Sequence, residues 1–62
     1  MSTVLKQRRT QRGWTQAQVA KRAGVTNFYI SLLESGRRRN PSLSVRKRLA
    51  KALGVSITKF LD

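Results

Sequence analysis

Side chains able to bind a polyanion dominate this chain, and they gather around one stretch. Arg37, Arg38 and Arg39 stand together just after the run NFYISLLESG. Adjacent guanidiniums can grip neighbouring phosphates, or one can enter a minor groove. The plainer alternative is a solvated charge run that serves solubility. Asn40 closes the same loop before Pro41 and can also donate to a nucleic-acid backbone. Within the run, Asn27 carries an amide that can pair bidentately with adenine N6 and N7, unless it is only a polar residue near a helix start. Ser31 has a hydroxyl suited to a base or a phosphate. Phe28 and Leu32, four positions apart, offer the apolar contact that thymine methyl groups accept. Their alternatives are a fold-back of Phe28 onto Trp14 or the preceding helix, or a protein partner sharing the face. Tyr29 combines a packing ring with a hydroxyl that can reach a phosphate. Upstream, Gln16 and Gln18 open another segment, where a helix N-terminus suits a phosphate oxygen; Gln18 is equally suited to a solvated surface. Thr26 is a cap first and a phosphate ligand second.

Fourteen Lys and Arg residues against two acids give a net charge of +12 on 62 residues. Such a balance attracts a polyanion, because basic side chains displace condensed counterions from phosphates. Asp62 is one of the acids, so Glu34 is the single carboxylate in the body of the chain. An acid so isolated implies an assigned structural partner. Cysteine and histidine are both absent, which excludes disulfides and the usual zinc sites. Without His, Cys or a carboxylate pair there is no nucleophile, general base or metal cage, and no phosphate-cradling glycine loop is present. No enzymatic activity, cofactor or metal is expected. No apolar run approaches the roughly 18 residues of a membrane span, and the polar start does not resemble a signal peptide. These features predict one small domain over residues 1–62, cytoplasmic and associated with the nucleoid.

The elements that must position these side chains emerge from apolar spacing and caps. In TQAQVAKRAGVTNFYISLLESG, Val19 and Ala23 fall on one helical stripe and Ile30 and Leu33 on another. Ala20 allows two helices to cross closely, Gly24 can turn the chain with positive φ, and Thr26 can cap the next helix. That pattern predicts a helix-turn-helix with helices over Gln16–Ala23 and Asn27–Ser35, the second suited to a DNA major groove. The remaining spacing predicts a first helix over about 3–12, with Leu5 and Val4 inward and Trp14 as a plug behind it. A fourth helix starts at Ser42 or Ser44 and runs through Leu53, with Val45, Leu49, Ala50, Ala52 and Leu53 inward. Gly54 ends it, and Ser56 caps a short fifth helix with Ile57, Phe60 and Leu61 apolar. No stretch alternates with period two, so the fold class is all-α with five helices.

The chain resembles the Xre or Cro family of bacterial and phage helix-turn-helix regulators. The matching residues are RRTQRGWTQAQVAKRAGVTNFYISLLESG, followed by NPSL and LAKALGVSITKFL. The resemblance covers nearly the whole chain and implies a compact five-helix, phage-repressor-like domain that binds operator DNA, usually as a symmetric dimer. It implies a base-contacting role for Asn27 and a phosphate-contacting role for Gln16. It also implies an ion pair between Arg9 and Glu34, tying the first helix to the end of the recognition helix. The chain departs from the family pattern in four ways. Arg8 and Arg46 stand where apolar residues are usual, the loop Arg37–Asn40 is one residue longer, and Phe28 and Leu32 occupy positions that are more often polar.

The resulting expectation is a sequence-specific regulator of transcription. It binds double-stranded DNA as a homodimer, with recognition helices about 34 Å apart. Repression by promoter occlusion is the favoured outcome, and the last helix, with Phe60 and Leu61, and the turn before it are the candidate dimer surface, the alternative being simple core closure, which suits Phe60 better. Arg46, Lys47, Arg48 and Lys51 make the fourth helix basic and are expected to serve mainly the electrostatic field and solubility, Arg46 being the best placed of them to reach DNA. Three rivals stand beside this expectation: an antitoxin that also binds a protein partner, a sequence-tolerant architectural DNA binder, and a membrane-active basic peptide suggested by SVRKRLAKAL. Capped, glycine-stopped helices and a core centred on Trp14 argue against the last.

Overall fold

Caps and apolar stripes build four α-helices and one tight turn in the computed structural model, which describes residues 2–60. The helices are α1 (Ser2–Gln11), α2 (Gln16–Ala23), α3 (Asn27–Glu34) and α4 (Leu43–Leu53). The sequence pattern predicts a fifth helix after Gly54. The described residues instead form a single 3₁₀ turn, Ile57–Phe60. Four residues are too few to sustain an α-helical ladder, and Ser56 favours the tighter geometry: its Oγ accepts from Thr58 N at 3.4 Å. Of the expected dimer surface, the Phe60 side chain and all of Leu61 lie outside the described residues.

Local chemistry sets the helix boundaries. Thr15 Oγ1 accepts from Gln18 N at 3.1 Å, and Gln18 Oε1 accepts from Thr15 N at 2.7 Å. This reciprocal box satisfies two otherwise orphaned donors at the start of α2. Gly24 ends α2 at φ 72°, and the chain reverses there because Val25 N donates back to Ala20 O at 3.0 Å. Thr26 starts α3 at once, its Oγ1 accepting from Tyr29 N at 3.0 Å. Ser42 does the same for α4 through Val45 N at 3.2 Å.

The four helices close around Leu5, Val19, Ile30, Leu33, Leu49 and Leu53, each fully buried. Burying an aliphatic side chain of this size stabilises by about 1.5–3 kcal/mol, so this cluster holds α3 against both α1 and α2. Ala20, Ala23 and Ala50 are buried as well, and their small side chains let α2 lie close to α3 and α4. Trp14 is a plug at the edge of the core rather than its centre. It is half-buried, with the Arg22 guanidinium 4.2 Å and the Arg12 guanidinium 5.5 Å from its ring centroid. Arg12 also donates to Leu53 O, joining the turn after α1 to the end of α4.

Candidate nucleic-acid interface

The outward face of α3 is set by which of its residues the core takes. Ile30 and Leu33 are fully buried, so at 100° per residue Phe28 and Ser35 point away, with Leu32 and Ser31 to either side. Phe28 is 72% exposed, which excludes its folding back onto Trp14 or α2. Asn27 is exposed in the first turn, while Ser31 and Leu32 are half-buried on the flanks of the same face. Tyr29 is turned toward the core, half-buried and packed against it.

The loop after α3 is held by its backbone and leaves its guanidiniums outward. Arg38 N donates to Leu32 O at 3.2 Å, and Arg37 N donates to Ser35 Oγ at 3.4 Å. Arg37, Arg38, Arg39 and Asn40 are all exposed, whereas Pro41 is buried and anchors the far end. The Arg38 guanidinium lies 5.4 Å from the Tyr29 ring centroid, so the ring that packs α3 also positions one arginine.

Arg9 and Glu34 meet in a two-pronged ion pair. Arg9 Nε donates to Glu34 Oε2 at 2.7 Å and Nη2 donates to Oε1 at 2.9 Å. Their side chains are only 13% and 5% exposed. The third arm, Nη1, donates to Trp14 O at 2.8 Å, so one guanidinium ties α1, the turn after it and the end of α3 together. The hydrogen bonds to Glu34 hold the Arg9 pKa above the ordinary guanidinium value against the opposing effect of burial, and the Coulomb attraction adds to them.

Sequence spacing gives no sign of the next link: Gln16 Nε2 donates to Glu34 Oε1 at 3.3 Å. The carboxylate therefore orients the first residue of α2 as well as pairing with Arg9. A shallow cleft lined by Lys6, Arg9, Gln16, Ser31, Glu34 and Ser35 joins the start of α2 to the α3 face. Gln18 and Thr26 are committed to their caps, Gln18 through its Oε1 and Thr26 through its hydroxyl. Neither α2 nor α3 carries an acidic residue in its first turn, so the positive ends of both helix dipoles stand unopposed. Arg46 differs from expectation. It lies on the inward side of α4, half-buried, its Nε enclosed without a hydrogen-bond partner among the described residues. Its position three residues before Leu49 and four before Ala50 puts it on the stripe that faces the core.

Such an arrangement can do three things at once: present an amide, a hydroxyl and two apolar side chains to a groove, offer helix N-termini to phosphates, and flank both with exposed guanidiniums. Known proteins share the framework. The family profile described as Helix-turn-helix matches residues 5–60. An uncharacterised HTH-type transcriptional regulator of Bacillus subtilis, YqaF, is 38% identical over 62 residues, covering all of this chain and 80% of that protein. The crystal structure of the master regulator for biofilm formation SinR in complex with DNA aligns at TM-score 0.92 and 31% identity, over 98% of this chain and 97% of that one. A chain of a SinR–SinI protein complex aligns at TM-score 0.90, again at 31% identity, over 98% of this chain but 59% of its own length. No described helix is long and apolar enough to cross a membrane. With the profile spanning almost its full length, the chain belongs to the helix-turn-helix family.

Proposed function

We propose that this chain is a sequence-specific DNA-binding regulator of transcription that places α3 in the major groove. One observation carries the reading: α3 is pinned by Ile30 and Leu33 while its opposite face, led by Phe28, is exposed beside three exposed arginines. In this role Asn27, Phe28, Ser31 and Leu32 touch base edges, the amide pairing with adenine and the apolar pair with thymine methyls. Gln16, Gln18, Thr26, Tyr29, Arg37, Arg38, Arg39 and Asn40 contact the sugar–phosphate backbone, Gln18 and Thr26 through the N–H-rich helix starts they cap. Arg9 and Glu34 touch no DNA and instead fix α3 and Gln16 in place.

Two copies acting as a homodimer would set recognition helices about 34 Å apart on a roughly palindromic site, one turn of B-DNA. Tight occupancy of such a site near a promoter blocks polymerase, so repression is its simplest outcome. A second reading, in which a protein partner modulates DNA binding, draws support from the likeness to a chain of a SinR–SinI protein complex. Selection from a randomised duplex pool tests the main reading. A two-fold symmetric winner bound at least about a thousandfold tighter than scrambled DNA is the expected result. A steep salt dependence with no enriched site would replace it with sequence-tolerant, architectural binding.

A further inference from the structure

A second cluster of cations lies at the other end of α2. Arg22, Arg48 and Lys51 converge on a cleft floored by Ala23 and Ala52, between the C-terminal halves of α2 and α4. All three cations are exposed, as is Lys21 beside them. Along α2, Arg22 stands four residues beyond Gln18, the nearest residue assigned to the first duplex, about 6 Å further down the helix axis. This cleft shares no residue with the one that joins Gln16 to the α3 face.

Like charges brought together repel, and no carboxylate relieves them here. Glu34 is the only acid among the described residues, and it is bound to Arg9. Basic residues near helix C-termini do offset the dipole, but Arg48 lies a full turn before the end of α4 and still joins the cluster. Arg22 is also held in place, its guanidinium 4.2 Å from the Trp14 ring centroid, so little freedom is lost when it meets an anion.

We infer that this cleft is a second phosphate-backbone site, able to hold another DNA duplex while α3 occupies the first. The inference rests on the DNA-binding role proposed above. A nucleic-acid backbone fits better than an acidic protein. Three of the five residues lining the cleft are cations and the other two are alanines, so charge rather than an apolar anchor dominates it, as phosphate contacts require. The protein would then join separate duplexes as well as mark a site.

The test uses a bead-bound duplex carrying the selected site and a free fluorescent duplex of unrelated sequence. Wild type should retain the free duplex on the beads. The double variant Arg48→Gln/Lys51→Gln should bind the selected duplex within about threefold of wild type and retain at least about tenfold less of the free one. Arg22 is left intact in that variant so that its stacking on Trp14 is undisturbed. Equal retention by wild type and variant would overturn the second site, since α3 faces alone would then do the joining. Wild type that binds the selected duplex but retains no second one would overturn it too, and would leave the recognition role standing. Failure to bind any duplex would overturn both.

Discussion

Glu34 shows how one side chain can serve stability and recognition together. Its carboxylate takes two hydrogen bonds from Arg9 and one from Gln16, at 5% exposure. Removing one partner of so enclosed a pair strands the other charge and costs about 3–5 kcal/mol, even where the intact pair contributes little net stability. Glu34→Ala is therefore expected to lower the melting midpoint by more than about 10 °C in a domain this small. Glu34→Gln keeps the shape and loses the charge, so it should fall between. The sign of the pH dependence is fixed by Arg9. Its raised pKa means that the pair's contribution is complete below the ordinary guanidinium value and is lost only as pH rises through the higher folded one. The gap in midpoint between wild type and Glu34→Gln should thus stay constant from about pH 7 to about pH 10. A gap that closes within that window would show that Arg9 releases its proton there and that the pair is weaker than its geometry. Arg9 and Glu34 are 25 residues apart in sequence, so only resemblance to a family could suggest the pair, and nothing in their spacing points to Gln16.

At the scale of the elements, turns decide where the recognition helix points. Gly24 at φ 72° and Gly54 at φ 67° end α2 and α4 in the same way, each succeeded by a valine donating back across the last turn. A Cβ at Gly24 meets nothing within 4 Å, so Gly24→Ala carries only the backbone penalty, about 1–2 kcal/mol, and Gly24→Asn less. A Cβ at Gly54 comes within 3.0 Å of the Arg12 guanidinium. Because Arg12 is donating to Leu53 O, Gly54→Ala should destabilise more than Gly24→Ala in urea melts. The reverse order would mean that Arg12 moves aside without loss. These turns were legible in the sequence because their causes are local: a cap hydroxyl, a small residue, a glycine between two apolar stripes. The bounds of α2 and the cap of α3 are set by residues that touch their own neighbours. The last element was not legible in the same way. Ile57 and Phe60 suit a helix by spacing, but length and the Ser56 hydroxyl favour a 3₁₀ turn. The half-burial of Arg46 is equally hard to read from its residue type, since a charged residue on a buried stripe can lay its stem along the core.

Over the whole molecule, charge and shape divide the labour of recognition. A net charge of +12 draws the chain to any duplex, and that attraction carries no sequence information. On the proposed reading, specificity comes from the few side chains on the α3 face, where the code is least readable: Phe28 and Leu32 offer contact to methyl groups and shape more than a hydrogen-bond pattern. The two contributions separate by their response to salt. Each phosphate contact adds about 0.9 to the slope of log affinity against log salt, so replacing Arg37, Arg38 and Arg39 with glutamine should flatten that slope by about 2–3 for each bound protomer. Affinity for selected and scrambled duplexes should fall together, leaving their ratio nearly unchanged. Asn27→Ala should do the opposite, reducing the ratio by about five- to a hundredfold with the slope intact. Titrations of both duplexes at several salt concentrations read both quantities at once. Should the arginine variant lose the ratio and keep the slope, the loop would be reading sequence through groove shape, and the placement of specificity on α3 alone would fail.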